Sequence, residues 1–428
     1  MTGCSQMQAS GNLSTRQGLA YGLLGLPLAF VALPLYVVLP NHYAREFGVP
    51  LATLGGILLA TRLLDALVDP FIGRWCDHWF AKSTTAVLTF AAVCAATLAA
   101  GFALLFFPPT REPTALLAWA VLALAITYAA FSALSVAHQS WGAMLGGDEI
   151  FRSRVVAWRE GLGLLGVVLA SVAPLLLGLP VTVAIFWIAL LAGWLAWTQA
   201  QAPTPQPRTR SADLWLPFRR PAFRRLLAVF VVNGIASAIP ATLVLFFVQD
   251  RLQAPKVIES AALAVYFLCA AASIPFWLRL VGHWGLARSW FTAMLLAIAA
   301  FVGALWLGPG DANPFLLVCA MSGLALGADL ALPGAMLAGV ILAAGDRGHS
   351  EGAYFGWWNF ATKLNLALAA GLALPILGLF GYVPGSRDPA ALSTLTLAYC
   401  LLPCLLKLGA AGLLYAALIR PNQQGNPI

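Results

Sequence analysis

Long apolar runs, interrupted by short polar or Pro/Gly-rich breaks, dominate the chain. A helix needs ~20 mostly apolar residues to cross a bilayer. Windows of that kind fall at residues 17–40, 49–70, 84–107, 115–144, 155–178, 181–200, 224–248, 258–280, 289–308, 314–344, 353–381 and 392–419. The pattern predicts an all-α membrane protein with twelve transmembrane helices in two six-helix halves. Only the turn signal Gly178-Leu179-Pro180 separates the fifth span from the sixth. The longest polar break runs from Gln201 to Pro221 and is rich in Pro and Arg. It sets a first half at 1–200, a basic linker loop at 201–222, and a second half with a short tail at 223–428.

Composition agrees. Charged residues make up 9% of the 428 and hydrophobic ones 61%, where soluble domains carry about 25% charge. So few charges do not cover a soluble surface of this size. Disordered and nucleic-acid-binding classes fail on the same count, since each needs a polar or basic majority. The net charge of +8 is a matter of placement. With the N-terminus inside, cytoplasmic segments hold fifteen of the 24 Lys and Arg, among them Arg16, Arg74, Lys82, Arg152, Arg154, Arg208, Arg210 and Arg347. The opposite side holds five: Arg45, Arg111, Arg251, Lys256 and Arg387. That bias puts both termini in the cytoplasm and suits a bacterial inner membrane. The residues up to Arg16 lack an apolar core or cleavage site, as expected of a cytoplasmic tail rather than a signal peptide. The cysteines are seven in number, and Cys94, Cys269, Cys319, Cys400 and Cys404 lie in apolar stretches. They read as small packed hydrophobes, not a disulfide framework.

The halves share an internal match. Pro70-Phe71, Arg74 and His78-Trp79 recur as Pro275-Phe276, Arg279 and His283-Trp284. After one inserted residue, Ala81-Lys82-Ser83 corresponds to Ala287-Arg288-Ser289. Two halves repeated in the same orientation are the pattern of transporters that rock around a midplane site.

Eight charges fall inside the expected spans: Arg62, Arg159, Lys363 and Lys407 with Asp65, Asp69, Glu160 and Asp329. Each costs roughly 2.5–3.5 kcal/mol near a helix centre on insertion scales. They are therefore expected to pair or to face a water-filled cavity. Arg62, Asp65 and Asp69 stand at i, i+3 and i+7, on one face of the second helix. Two carboxylates four residues apart in a low dielectric do not both ionise without a cation. They are suited to hold a proton or a small hard cation such as Na⁺, with Arg62 supplying counter-charge when the site is empty. Lys363 in the eleventh span, beside Thr362 and Asn365, needs an acid partner. Asp65 or Asp69 across the interface between halves is the expected one. Arg159 and Glu160 open the fifth helix, and His138, Gln139 and Trp141 lie at the end of the fourth, so they are candidates to line one solute cavity. His138 is equally compatible with a packed, hydrogen-bonded role, and Asp329 is ambiguous in the same way. Lys407 reads as a snorkelling or pairing residue.

At these residues the sequence resembles the glycoside–pentoside–hexuronide:cation symporters, the melibiose permease branch of the major facilitator superfamily. The segment Arg62-Leu63-Leu64-Asp65-Ala66-Leu67-Val68-Asp69-Pro70, with Gly73 and Asp77 after it, carries the likeness. Trp158-Arg159-Glu160, Asn233, Tyr354-Phe355-Gly356 and Thr362-Lys363 extend it along the chain. The resemblance implies that Asp65 and Asp69 bind the coupling cation, that Lys363 supports that site, and that Arg159 contacts solute. It also implies departures. Ala29 and Leu134 stand where sugar-binding members carry aspartates, and His138 stands where they stack a tryptophan. Val68 replaces an Asn common in sodium-using members, which tilts the expected ion toward H⁺.

The expected activity is therefore H⁺- or Na⁺-coupled symport of a small organic solute, a sugar, glycoside or uronide-like compound, by alternating access. Asp65, Asp69, Arg62, Lys363 and Thr362 are the cation-coupling candidates. Arg159, His138, Gln139, Trp141, Asn233 and Asp329 are the solute candidates. A lysolipid-like amphipath carrier and an uncoupled uniporter are the alternatives on the same fold. No cofactor beyond the coupling ion, no nucleic-acid partner and a monomer in the lipid bilayer are expected. An enzyme is not, since no metal-ligand cluster or Ser/His/Asp set recurs at helical spacing.

Overall fold

A computed structural model of the chain describes residues 13–203, 213–382 and 385–420. The first twelve residues of the tail and the linker stretch 204–212, with Arg208 and Arg210, lie outside the described residues. So do the side chains of Arg45 and Lys256. The described residues are helical throughout, joined by turns. Among them, eight helices are long and apolar enough to cross a membrane. The chain folds as two compact units. One runs to Asp213 and adds Ala338–Phe355; the other comprises Leu214–Leu337 and the residues from Gly356 onward.

In the first unit, the span expected at 17–40 is broken into α1 (Thr15–Gly22), α2 (Gly25–Phe30), a π-turn at Pro34–Val38 and α3 (Leu39–Glu46). Pro27, Pro34 and Pro40 explain the breaks, because each removes an amide donor and crowds the preceding turn. The broken span packs on α7 (Glu149–Leu176) with backbones in near contact: a Cβ on Gly25 would lie 2.4 Å from the Arg159 carbonyl oxygen. A Cβ on Gly166 would lie 2.1 Å from that of Leu26. Small residues at such crossings are how membrane helices approach closely.

Helix α4 (Leu51–Lys82) has 32 residues, about 48 Å at the α-helical rise. Its expected end was Pro70, yet the helix runs through that residue. The one donor lost at a proline is tolerated where neighbouring helices re-satisfy the backbone. Ser83 ends α4 in extended backbone, and its Oγ caps α5 (Thr84–Phe106) by accepting from the Ala86 amide at 3.0 Å. Helix α6 (Pro113–Met144) is capped by Glu112, which takes the Thr114 and Ala115 amides and the Thr114 hydroxyl. Those donors hold its carboxyl below the usual carboxylate range. Helix α8 (Gly178–Thr198) starts at Gly178, whose φ of 78° is the left-handed turn the Gly-Leu-Pro signal announced. In the core of this unit Phe30 stacks on Phe186, which Phe102 meets at a tilt.

The second unit contains α9 (Leu216–Arg219), α10 (Pro221–Phe246), α11 (Lys256–Gly303) and most of α12 (Ala312–Ala343) and α13 (Glu351–Leu379). It closes with α14 (Pro389–Thr396), a π-turn at Leu397–Leu401, and α15 (Leu402–Leu414). Helix α11 joins two expected spans across a break at Gly285, with φ 76° and ψ 171°. Only glycine adopts that conformation readily. Gly285 lies in the stretch where the internal repeat gains its one residue, between His283-Trp284 and Ala287-Arg288-Ser289. Pro70 and Pro275 both sit inside their helices. Leu243, Phe247, Phe315, Leu395 and Tyr399 form the buried core at one end of the unit.

Hydrogen bonds tie residues 338–355 to the first unit. Asp77, 1% exposed, accepts the Gly352 and Ala353 amides at 2.7 and 2.9 Å, capping the start of α13. Arg347 donates to the Met144 and Leu145 carbonyls at the end of α6. Asp77 thus lies within α4, beyond the window expected to end at residue 70.

Candidate functional site

Arg62, Asp65 and Asp69 fall near the middle of α4, well away from its ends. Asp65 is 7% exposed and Asp69 0%, and Arg62 is half-buried. Leu63, Leu64, Leu67 and Val68 on the opposite face are exposed. The i, i+3, i+7 spacing therefore does what the sequence expects: it turns one charged face inward and an apolar one outward. The inward face meets α6, where the Ser132 hydroxyl donates to Asp65 Oδ1 at 2.9 Å. Ser135, one turn further along α6, is buried as well. Neither serine was singled out in the sequence, though two hydroxyls three residues apart in an apolar helix are a usable signal. On α4 itself, Thr61 spends its hydroxyl on the Ile57 and Leu58 carbonyls. The arrangement offers carboxylate and hydroxyl oxygens to a proton or a hard cation, with a guanidinium one turn away.

The solute candidates of the first unit are packed more tightly than their expected role needs. His138 is fully buried, stacks on the Tyr21 ring at 4.3 Å and meets the edge of Trp197 at 5.1 Å. Its Nε2 lies 2.8 Å from the Tyr21 carbonyl oxygen, and the Tyr21 hydroxyl donates to the His138 carbonyl. Trp141 is 1% exposed and donates to the Gln201 carbonyl at 3.0 Å. In this conformation both tie α6 to neighbouring segments. Gln139 between them is half-buried. The Arg159 guanidinium is held by Glu160, the next residue, with Nε and Nη2 at 3.0 and 2.5 Å from Oε1, and it also contacts the Tyr21 hydroxyl. Leu134 is fully buried and Ala29 half-buried, facing Gly163 of α7.

In the second unit, Lys363 is half-buried. Thr362 is exposed and returns its hydroxyl proton to the Trp358 carbonyl at 3.0 Å. Asn365 approaches α10 so closely that a Cβ on Gly234 would sit 1.9 Å from its Nδ2. The other two solute candidates come together around the lysine that had been given a pairing role. Lys407 Nζ donates to Asp329 Oδ2 at 2.8 Å, Asn233 Oδ1 at 2.9 Å and Ser237 Oγ at 3.1 Å. Asp329 Oδ1 accepts from Trp290 Nε1 at 2.7 Å and Asn233 Nδ2 at 3.2 Å. Lys407 and Asp329 side chains are 9% and 12% exposed. Ser237 could have been found in the sequence, one turn after Asn233; nothing in the local pattern points to Trp290.

Inward-facing charges on long apolar helices, in two units that share a repeat, define a multi-pass membrane transporter. The chain belongs to the MFS/sugar transport protein family, matching it over residues 18–419. It is 22% identical over 445 residues to an uncharacterized symporter, YjmB, of Bacillus subtilis (strain 168), covering 96% of this chain and 94% of that one. Its fold is similar to that of a bacterial homologue of the iron transporter ferroportin in an outward-facing state. There the TM-score is 0.69 at 16% identity, over 93% of this chain and 99% of that one. It is also similar to the E. coli fucose:proton symporter, with a TM-score of 0.64 at 14% identity over 92% and 98% of the two chains. Among the described residues, no group of three or more His, Cys, Asp or Glu is arranged to hold a metal ion.

Proposed function

We propose that the protein is a secondary active symporter of the glycoside–pentoside–hexuronide:cation type, moving a small organic solute with H⁺ or Na⁺ by alternating access. Twelve spans and two cytoplasmic termini in a bacterial inner membrane complete the reading, and the protein acts as a carrier, not an enzyme. The observation that supports it most is the buried acidic pair at mid-α4, Asp65 and Asp69, facing a hydroxyl of α6 and flanked by Arg62. Two carboxylates in one dry face are costly when both are charged. Loading one proton or one Na⁺ removes most of that cost, so occupancy biases the conformational equilibrium and, reciprocally, solute affinity.

Arg159, set beside Tyr21 on the first unit's inner helices, is the solute contact of this scheme. It exchanges Glu160 for an oxygen of the solute. Sugars, glycosides and uronides fit a guanidinium that reads paired oxygens. A thermal-shift screen of sugars, uronides and organic acids, run with and without Na⁺ and at two pH values, tests the reading. A solute that stabilises the protein only together with Na⁺, or only at the lower pH, is the expected result. Equal stabilisation under all conditions would show a carrier without coupling.

A further inference from the structure

A partly open cavity of about 260 Å³ lies within the second unit, bordered by α10, α11, α12, the Leu397–Leu401 turn and α15. Most of its wall is apolar, including Pro240, Val244, Phe267 and Phe301. Asp329, Lys407 and Ser237 form one polar patch of it, and Ser322 also lines it. Their charges cancel, and all three Lys407 donors are already taken by Asp329, Asn233 and Ser237. An incoming anion would meet the Asp329 carboxylate and an incoming cation the Lys407 ammonium. The wall therefore favours a neutral ligand.

Two phenols supply the rest. Tyr266 and Tyr399 both line the cavity. Their rings are held in place: Tyr399 stacks on Phe247 at 4.2 Å and is 3% exposed, and Tyr266 meets the edge of Phe267 at 5.3 Å. Neither hydroxyl has a hydrogen-bond partner among the described residues. Tyr399 is buried and Tyr266 half-buried, so both hydroxyls are left to whatever fills the cavity, and a hydroxyl left unmet in an apolar wall costs about 1–3 kcal/mol. Ligand pockets for drug-sized molecules occupy ~300–1,000 Å³, so a smaller space suits a single ring.

We propose that this cavity is a binding site for a neutral single-ring compound carrying one or two hydroxyl or carbonyl oxygens, its oxygens on Tyr266 and Tyr399 and its ring against the apolar wall. The site lies inside one unit and does not depend on the acidic pair of α4. It goes beyond the symport reading and stands or falls separately from it.

The test is calorimetric titration of the full chain in lipid nanodiscs, with empty nanodiscs subtracted, using phenol, cyclohexanol, toluene, benzoate, benzylamine and galactose. Saturable 1:1 binding of phenol or cyclohexanol is expected, with benzoate and benzylamine at least tenfold weaker. Tyr266→Phe and Tyr399→Phe keep the shape and break no protein hydrogen bond, so both variants fold as the wild type does. Each should weaken phenol about fivefold, the worth of one hydrogen bond, and leave toluene unchanged. Ala297→Leu, which fills the space from its wall, should abolish binding of all of them. Asp65→Asn should bind phenol like the wild type, separating this site from the coupling chemistry. No saturable binding, as when water alone meets the phenols, would overturn the proposal. So would phenol affinity unmoved by the Phe pair or by Ala297→Leu, or preference for galactose or an ion.

Discussion

Replacing Lys407 with Met keeps the length and apolar stem of the side chain while deleting the charge that Asp329 faces at 2.8 Å. The carboxylate, 12% exposed at its side chain, is left with Trp290 Nε1 and Asn233 Nδ2 as donors and no cation. Breaking one side of a buried ion pair costs about 3–5 kcal/mol, because a buried charge loses its compensation. Adding Asp329→Asn removes the stranded charge and keeps an oxygen for Trp290. The double variant is then expected within about 1 kcal/mol of wild type, since isolated neutral hydrogen bonds are worth about that much. Equilibrium unfolding in mixed micelles, run as a double-mutant cycle, reads the coupling directly. A coupling of about 2–4 kcal/mol is the expected outcome. A Lys407→Met cost below about 0.5 kcal/mol, or simple additivity in the double variant, would refute the view that these two charges hold each other inside the unit.

Ser132→Ala deletes a hydroxyl that donates to Asp65. Hydrogen bonds to charged groups contribute about 1.5–3 kcal/mol, so the apparent affinity for the coupling ion should fall at least tenfold. Ion-dependence of uptake at saturating solute measures it, and unchanged ion dependence would remove Ser132 from the site. His138→Phe retains a ring between Tyr21 and Trp197 but loses the bond to the Tyr21 carbonyl. Solute KM is expected within twofold of wild type and the thermal midpoint lower; a tenfold rise in KM with an unchanged midpoint would restore His138 to solute contact.

Where the sequence was legible, the reason was periodicity. Nine of the apolar windows reappear within the eight helices long and apolar enough to cross a membrane, two of them merged in α11, and the i, i+3, i+7 set on α4 turned inward because a helix has no other way to place it. The repeat was read from matching residues, and nothing in the sequence signalled that a glycine break would stand in the stretch where its register slips. Helix ends were less so. Pro70 looked like a stop, but a proline costs one donor, and the helix continues twelve residues past it. The first span erred the other way, since three prolines in one apolar run left no uninterrupted α-helix. Partners distant in sequence were the least legible. Asp329 and Lys407 were noticed for their charge and Asn233 for the family resemblance, and only the packing of α10, α12 and α15 shows that they are one network. Trp290, 39 residues from Asp329, carried no local sign of its part in it. His138 shows the opposite limit: a histidine in an apolar helix looks alike in sequence whether it meets a solute or a backbone carbonyl.

The central claim is that Asp65 and Asp69 couple ion and solute. Uptake by right-side-out and inverted membrane vesicles carrying Asp65→Asn or Asp69→Asn tests it most directly, alongside solute counterflow, which needs no ion gradient. Accumulation against a gradient should be lost in both variants while counterflow persists, because the carrier still alternates but no longer charges its cation site. Concentrative uptake at the wild-type level in either variant would contradict the assignment.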